Sequence, residues 1–307
     1  MVPVMSILRA LIIVIVTAIS PGAVLAAEEL TIEHQGVPRH YLMHRRSENG
    51  PARPLLIYLH GLRPANWQNH SWAEIDAAAD REGFVAAYPV ALQGRWNYTG
   101  QLSEKVRAGE EVADDIGFIA KLIDHLVAQQ GVDPKRVYAI GESRGGLMSF
   151  ELMCRMAERL AAAGALISGM TEGQRDACAP ARAVPVFALA GTTDPIQSYD
   201  GWLTAAGRLL SVPETMEFWR LRHGCTGQQS TMLPHRLAED PTRILLVQWT
   251  GCAVEDAVRL YRVNGGGHRV PSFTAEPDDD WAKKAGPQSQ DIEPIDAFWD
   301  FAKRFNR

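Results

Sequence analysis

The chain has 307 residues, 46% of them hydrophobic, enough for a sizeable buried core in one α/β domain. Its 31 basic and 36 acidic residues leave a formal net charge of −5, which argues against nucleic acid or an anionic membrane surface as a partner. Four cysteines with no C-x-x-C spacing argue against a zinc site and suit an oxidising compartment.

Residues 1–26 have the three parts of a secretory signal. Arg9 is the positive flank, Ala10 to Ile19 a short apolar core, and Val24-Leu25-Ala26 a cleavage site. The apolar stretch is shorter than the roughly 20 residues a spanning helix needs. No cysteine follows Ala26 to take a lipid anchor. The expectation is a secreted or periplasmic protein with no membrane association once the signal is removed. Residues 27–307 are expected to form a single domain.

Leu30 to His34 and Arg39 to Met43 read as an N-terminal hairpin. Pro54 to Leu59 is a near-continuous apolar run that ends in His60-Gly61-Leu62. Ser71 to Glu82 reads as a helix with Ser71 as cap and Glu74 three residues on. Phe84 to Ala87 is a short strand. Asp114 to Gln130 places Ile116, Ile119, Ile123 and Leu126 near one helical face, behind two aspartates that suit a helix N-terminus. Strands follow at Arg136 to Ile140, Ala165 to Ser168, Val184 to Ala190, Ile244 to Trp249 and Val258 to Val263, with a helix from Leu147 to Glu158. Asp278-Asp279-Asp280 reads as a solvated loop. Glu293 to Arg307 is an amphipathic helix that turns Ile295, Phe298, Trp299, Ala302 and Phe305 inward, with Pro294 in its first turn. Apolar strands alternating with helices imply a parallel sheet covered on both faces.

Gly141-Glu142-Ser143-Arg144-Gly145 lies between an apolar strand and a helix. In that context G-x-S-x-G is a sharp strand-to-helix turn that exposes a serine Oγ, with glycines where a Cβ would clash. A serine hydroxyl needs a base, and the base an orienting acid. Asp194 follows the strand Val184 to Ala190 in Gly191-Thr192-Thr193-Asp194-Pro195. Asp200, further from that strand end, is the weaker rival. His268 ends the run Asn264-Gly265-Gly266-Gly267-His268 after the last strong strand. Serine, acid and histidine thus occur in that order, the latter two just past strand ends, where ligands bind in such sheets. An oxyanion would be held by two backbone N–H groups, that of Arg144 after the serine and that of Leu62 after the early strand. His60 reads as a residue that packs this loop. Trp67, Trp96 and Trp202 follow strand ends and are candidates to line a substrate pocket.

Together these motifs resemble the secreted esterase family that includes polyhydroxybutyrate depolymerases, LpqC-like proteins and feruloyl or acetylxylan esterases. The matching residues are His60-Gly61, Arg95-Trp96-Asn97, Asp114-Asp115-Ile116-Gly117-Phe118-Ile119, the Ser143 turn, Gly191-Thr192-x-Asp194 and Gly265-Gly266-Gly267-His268, spread over about residues 55 to 271. The resemblance implies an α/β-hydrolase fold, mostly a parallel central sheet with helices on both faces, acting on carboxylic esters without a metal or organic cofactor. Residues 27–307 would then be the catalytic domain.

Three places depart from the family pattern. Arg144 replaces a small residue, Val270 replaces a tryptophan, and Leu62-Arg63-Pro64-Ala65-Asn66 replaces a glycine-rich stretch. All three fall at the rim of the site and bear on substrate rather than on hydrolysis.

The four cysteines allow three connectivities. The resemblance favours Cys225–Cys252 and Cys154–Cys178. A loop of roughly 28 residues closed at the first pair would contribute about 3 kcal/mol. Within esterases, hydroxyalkanoate oligomers, feruloyl or acetyl esters on plant polysaccharide, and small acyl esters compete as substrates. A peptidase with the same three residues, and a binding protein on the same fold, are the other readings. Oligomeric state is not encoded in any motif.

Overall fold

The computed structural model describes residues 28–45, 51–62, 72–99, 112–204, 207–274 and 280–307. The proposed signal segment lies outside the described residues. The strands are β1 (Glu28–His34), β2 (Val37–His44), β3 (Arg53–Leu59), β4 (Val85–Pro89), β5 (Val132–Glu142), β6 (Ala162–Leu166), β7 (Val186–Gly191), β8 (Trp202–Thr204), β9 (Gly207–Leu209), β10 (Gly227–Met232), β11 (Arg243–Thr250) and β12 (Val258–Asn264). The α-helices are α1 (Ala73–Glu82), α2 (Asp115–Gln130), α3 (Arg144–Arg155), α4 (Glu172–Ala177), α5 (Val212–Arg222), α6 (Asp280–Ala285) and α7 (Pro294–Ala302).

Ten strands form one sheet in the order β1-β2-β4-β3-β5-β6-β7-β12-β11-β10. The six central strands, β4 to β12 in that order, pair in parallel. The β1–β2 hairpin is antiparallel at one margin, and β11 and β10 are antiparallel at the other. β8 and β9 form a separate two-stranded ribbon.

The period of two along each central strand divides the core between the sheet's two faces. Leu55, Ile57, Leu59, Val137 and Ala139 join one apolar cluster, with Phe118, Ile119, Leu122 and Leu126 of α2, Met148 and Phe150 of α3 and Trp219 of α5. Leu56, Tyr58, Tyr138 and Ile140, the alternate positions, join a second with Ile75 and Ala78 of α1 and Phe298, Trp299 and Phe301 of α7. Full burial of a single large side chain of this kind contributes about 1.5–3 kcal/mol. This is the α/β-hydrolase fold.

Three local expectations are revised, and one strand is new. The observed N-cap of α1 is Trp72, with no side-chain capping bond, and Ser71 lies outside the described residues. β6 begins at Ala162 because the backbone of Ala161 already bonds to Val137 of the neighbouring strand. The last helix stops at Ala302, and Phe305 packs its ring from a following turn. β10 was not foreseen, since Gln-Gln-Ser-Thr is polar and exposed, and its extended form comes from pairing with β11.

α2 begins as read, with Asp114 as its cap: Asp114 Oδ1 accepts from Gly117 N–H at 2.8 Å. Both expected disulfides are present, Cys154–Cys178 and Cys225–Cys252. The first ties α3 to the end of α4, and the second ties the segment after α5 to the end of β11. Among the described residues no helix is long and apolar enough to cross a membrane.

Candidate active site

Ser143 stands between β5 and α3 with φ 52° and ψ −115°, a strained conformation for a residue with a Cβ. The strain is held in place by glycines. A Cβ on Gly141 would lie 2.3 Å from the Gly145 carbonyl oxygen, and one on Gly145 would lie 1.9 Å from that of Leu59. β5, the start of α3 and β3 therefore touch backbone to backbone, and the only exit for the chain is the turn that lifts Ser143. The N-terminus of α3 points its positive dipole end at this turn.

Asp194 follows β7 and His268 follows β12, so both stand at the same end of the parallel strands as Ser143. His268 Nδ1 lies 2.6 Å from Asp194 Oδ2, and His268 Nε2 lies 2.9 Å from Ser143 Oγ. The histidine and aspartate are buried, at 4% and 7% exposure. Asp194 is fixed in turn, since its Oδ1 accepts from the N–H groups of Ile196 and Gln197, each at 2.8 Å. Its rival Asp200 is exposed and its backbone N–H bonds to Ser198 Oγ instead.

The glycines before His268 are needed for close packing. A Cβ on Gly191 would meet the Gly266 oxygen at 2.3 Å, and one on Gly267 would meet the Ala285 oxygen at 2.0 Å. The backbone N–H of His268 donates to Ala285 and that of Gly267 to Pro287. The segment 266–268 is thus clamped between the end of β7 and the end of α6.

The loop after β3 carries Leu62, whose side chain is 56% exposed. Gly61 N–H donates to Glu142 Oε1 at 3.3 Å, and Tyr58 Oη–H donates to Glu142 Oε2 at 3.1 Å. Glu142 is the residue before Ser143, so one carboxylate ties the Leu62 loop to the serine turn. His60 is buried and doubly committed. Its Nε2 accepts from Ala91 N–H at 3.1 Å and its Nδ1 donates to the Gly61 oxygen at 2.6 Å. That pattern fixes one neutral tautomer and leaves no nitrogen free to serve as a base.

The pocket candidates separate. Trp96 has no exposed surface: its ring lies against His60, centroids 5.0 Å apart, and its N–H donates to the His60 oxygen at 2.9 Å. It supports the Leu62 loop from beneath, and the expectation that it lines a pocket is corrected. Trp202 is 45% exposed at the start of the β8–β9 ribbon. Trp67 lies outside the described residues.

Two residues near Ser143 carried no sequence signal. Gln197 Nε2 reaches Ser143 Oγ at 3.4 Å while its Oε1 accepts from Ser168 Oγ–H at 3.1 Å. Trp281 of α6 stands edge-on to the His268 ring, centroids 6.4 Å apart. Neither follows a strand end or sits in a motif. His235, Asp240 and Asp291 bring three possible metal-ligand atoms within 4.8 Å of one another. His235 Nδ1 is engaged with Asp291, and Asp240 with Thr242 and the Gln290 N–H, while His235 Nε2 is buried without a hydrogen-bond partner. They clasp two loops together.

The sequence model described as the alpha/beta hydrolase family matches residues 56–287. A feruloyl esterase B of Piromyces equi is 29% identical over 230 residues, which cover 71% of this chain and 40% of that protein. A bifunctional acetylxylan esterase/xylanase of Neocallimastix patriciarum is 26% identical over 280 residues, covering 88% of this chain and 34% of that protein. The chain therefore spans well under half the length of these two relatives. Among solved structures, the acetyl xylan esterase from Aspergillus awamori matches with a TM-score of 0.53 and 13% identity, over 79% of this chain and 94% of that one. At that identity the likeness is one of fold.

Proposed function

This chain belongs to the alpha/beta hydrolase family, and from that premise we propose that it is a secreted serine carboxylic-ester hydrolase. The observation that carries the reading is the unbroken chain from Ser143 Oγ through His268 to Asp194, at 2.9 and 2.6 Å. His268 Nε2 takes the Ser143 proton as Oγ attacks the ester carbonyl. Asp194 holds the tautomer that bears its proton on Nδ1 and stabilises the imidazolium. The backbone N–H groups of Leu62 and Arg144 receive the developing oxyanion, aided by the dipole of α3. His268 returns the proton to the leaving alcohol, and water then releases the acid by the same route. No step needs a metal or organic cofactor.

For substrate, the two relatives support feruloyl or acetyl esters carried on plant polysaccharide. Hydroxybutyrate oligomers are the second reading, supported by the Gly265-Gly266-Gly267-His268 and Asp114 to Ile119 motifs. The paired disulfides support export to an oxidising compartment.

The test is turnover of p-nitrophenyl acetate, methyl ferulate, hydroxybutyrate trimer and a peptide anilide by the wild type, Ser143→Ala and Asp194→Asn. Ester turnover is expected, abolished in Ser143→Ala and cut about 10⁴-fold in Asp194→Asn, the cost of the wrong imidazole tautomer. Cleavage of the anilide alone would replace this reading by a peptidase. No turnover above Ser143→Ala would replace it by a binding protein.

A further inference from the structure

Beyond Ser143, His268 and Asp194, we propose that Gln197 is a fourth catalytic residue: its side-chain amide donates to Ser143 Oγ and stabilises the negative charge on that oxygen in both halves of the reaction. The inference rests on the serine ester hydrolase reading above. There the N–H groups of Leu62 and Arg144 serve the substrate's carbonyl oxygen, whereas Gln197 serves the serine's. In acylation His268 Nε2 takes the Oγ proton while Oγ bonds to the carbonyl carbon, so negative charge gathers on Oγ before that bond is complete. In deacylation the Oγ–C bond breaks, Oγ leaves with the electron pair, and the proton returns to it from His268. At both moments an N–H donor on Oγ binds a charged acceptor and gains strength. Gln197 Nε2 lies 3.4 Å from Ser143 Oγ in the resting site, and catalytic hydrogen bonds of that length tighten as charge develops.

The hydrogen bonds around the amide fix which way it faces. Asp194 takes the His268 proton on Nδ1, so Nε2 is an acceptor, and the single Ser143 proton is committed to it at 2.9 Å. Toward Gln197 the serine oxygen can therefore only accept, and the amide must present its NH2 group. Its oxygen then needs a donor on the other side. Ser168 Oγ–H supplies one at 3.1 Å, nearer than its alternative acceptor, the Gly169 oxygen at 3.3 Å. The Gln197 backbone N–H is meanwhile bound to Asp194 Oδ1 at 2.8 Å. One residue thus holds the acid with its main chain and the nucleophile with its side chain.

The fold keeps Ser168 in place at a cost in strain. Ile167, the residue after β6, has φ 47°, a region that a β-branched side chain rarely enters. Its N–H is bound to the Leu189 oxygen of β7 at 2.6 Å, so the conformation is held by the sheet. The chain leaves β6 there and packs the buried Ser168 against the first turn of α3. A Cβ on Gly146 would lie 2.5 Å from that of Ser168 and 2.9 Å from its Oγ. Strain of this kind persists where the surroundings over-determine it, and it clusters at active sites. Here its product is a hydroxyl aimed at the Gln197 amide, which sets the donor on Ser143 Oγ before any substrate arrives.

The experiment compares the wild type with Gln197→Met, Gln197→Glu, Ser168→Ala and Ser168→Ala/Gln197→Met. Two rates are read: hydrolysis of p-nitrophenyl acetate, and covalent labelling of Ser143 by a fluorophosphonate, which needs an activated serine but no ester turnover. Gln197→Met keeps the length and loses the donor. Its kcat and its labelling rate are expected to fall about tenfold, the size of one hydrogen bond to a charged group. Both steps are slowed alike, so KM should stay within about twofold. Gln197→Glu keeps the shape and sets a carboxylate against the serine oxygen, so it should fall at least as far. Ser168→Ala should lower both rates about threefold, the size of a weaker neutral bond, and add nothing to Gln197→Met, because Ser168 acts only through the amide. Wild-type rates in Gln197→Met would overturn the proposal. So would wild-type rates in Gln197→Glu, which would mean that Gln197 only fills space. Labelling of the wild type without ester turnover would remove the esterase reading and leave the labelling rates to decide on Gln197. A wild type that does neither has no activated serine, and both readings fall.

Discussion

At Gly145 the missing side chain matters more than any that is present. A Cβ there would sit 1.9 Å from the Leu59 oxygen, a contact that only movement of β3 or α3 could relieve. Gly145→Ala is expected to cost more than about 4 kcal/mol, the range reserved for strain in the core, or to yield no soluble protein. Gly36 makes the control, for it has φ +77° but nothing within 4 Å of its absent Cβ. Gly36→Ala should cost only about 1–2 kcal/mol, the price of a left-handed residue in open space. Urea midpoints of the two variants measure the difference. The residues of this turn could be named from sequence because a sharp turn between strand and helix makes demands that are local: small neighbours, an apolar run before, a helical run after. Gln197 and Trp281 could not, nor could the bonds by which Glu142 holds Tyr58 and Gly61. Gln197 meets Ser143 across 54 residues, and Glu142 meets Tyr58 across 84. No local pattern distinguishes a side chain whose role begins only when such distances close.

Among the elements, α5 shows how burial changes the chemistry of one group. His223 caps its C-terminus, 2% exposed, with Nε2 donating to the Val184 oxygen at 2.9 Å in the segment that leads into β7. Burial away from water, opposed only in part by that carbonyl, lowers its pKa below the usual histidine value. In the folded protein it stays neutral at a pH where the unfolded chain binds a proton, so unfolding takes up that proton. Stability should therefore fall as pH drops below about 6.5, by up to about 1.4 kcal/mol per pH unit from this group, until the lowered folded pKa is reached. His223→Gln keeps a donor for Val184 and should flatten that slope, as chemical denaturation between pH 7 and pH 5 would show. The apolar central strands and long amphipathic helices were legible because their periods of 2 and 3.6 are written into the chain. The polar edge strand β10 and the ribbon of β8 and β9 were not, since their extended backbone is imposed by pairing partners.

Across the whole molecule, the margin of the sheet is fastened to the helical layer by a buried ion pair. Arg39 of β2 donates to Asp115 Oδ1 at 2.5 Å, and its guanidinium lies 4.0 Å from the Phe118 ring centroid. The other Asp115 oxygen accepts from the Asn97 N–H and side-chain amide at 2.8 and 2.9 Å. Asp115 and Asn97 belong to two of the motifs behind the family resemblance, and their part in the fold is to close this three-way junction. Arg39→Met would leave the Asp115 charge buried and uncompensated, at a cost of about 3–5 kcal/mol. Adding Asp115→Asn should restore part of it, and the double-mutant cycle would be read from urea midpoints. The fold class, the strand ends that bear Ser143, Asp194 and His268, and the glycines that let those ends approach are legible in the chain, because periodicity and steric exclusion act over a few residues. That Trp96 is a buried prop and that Trp281 stands beside the imidazole follows from packing between distant segments. A tryptophan looks the same in a sequence wherever it is, and its surroundings exist only once 10 strands are in register.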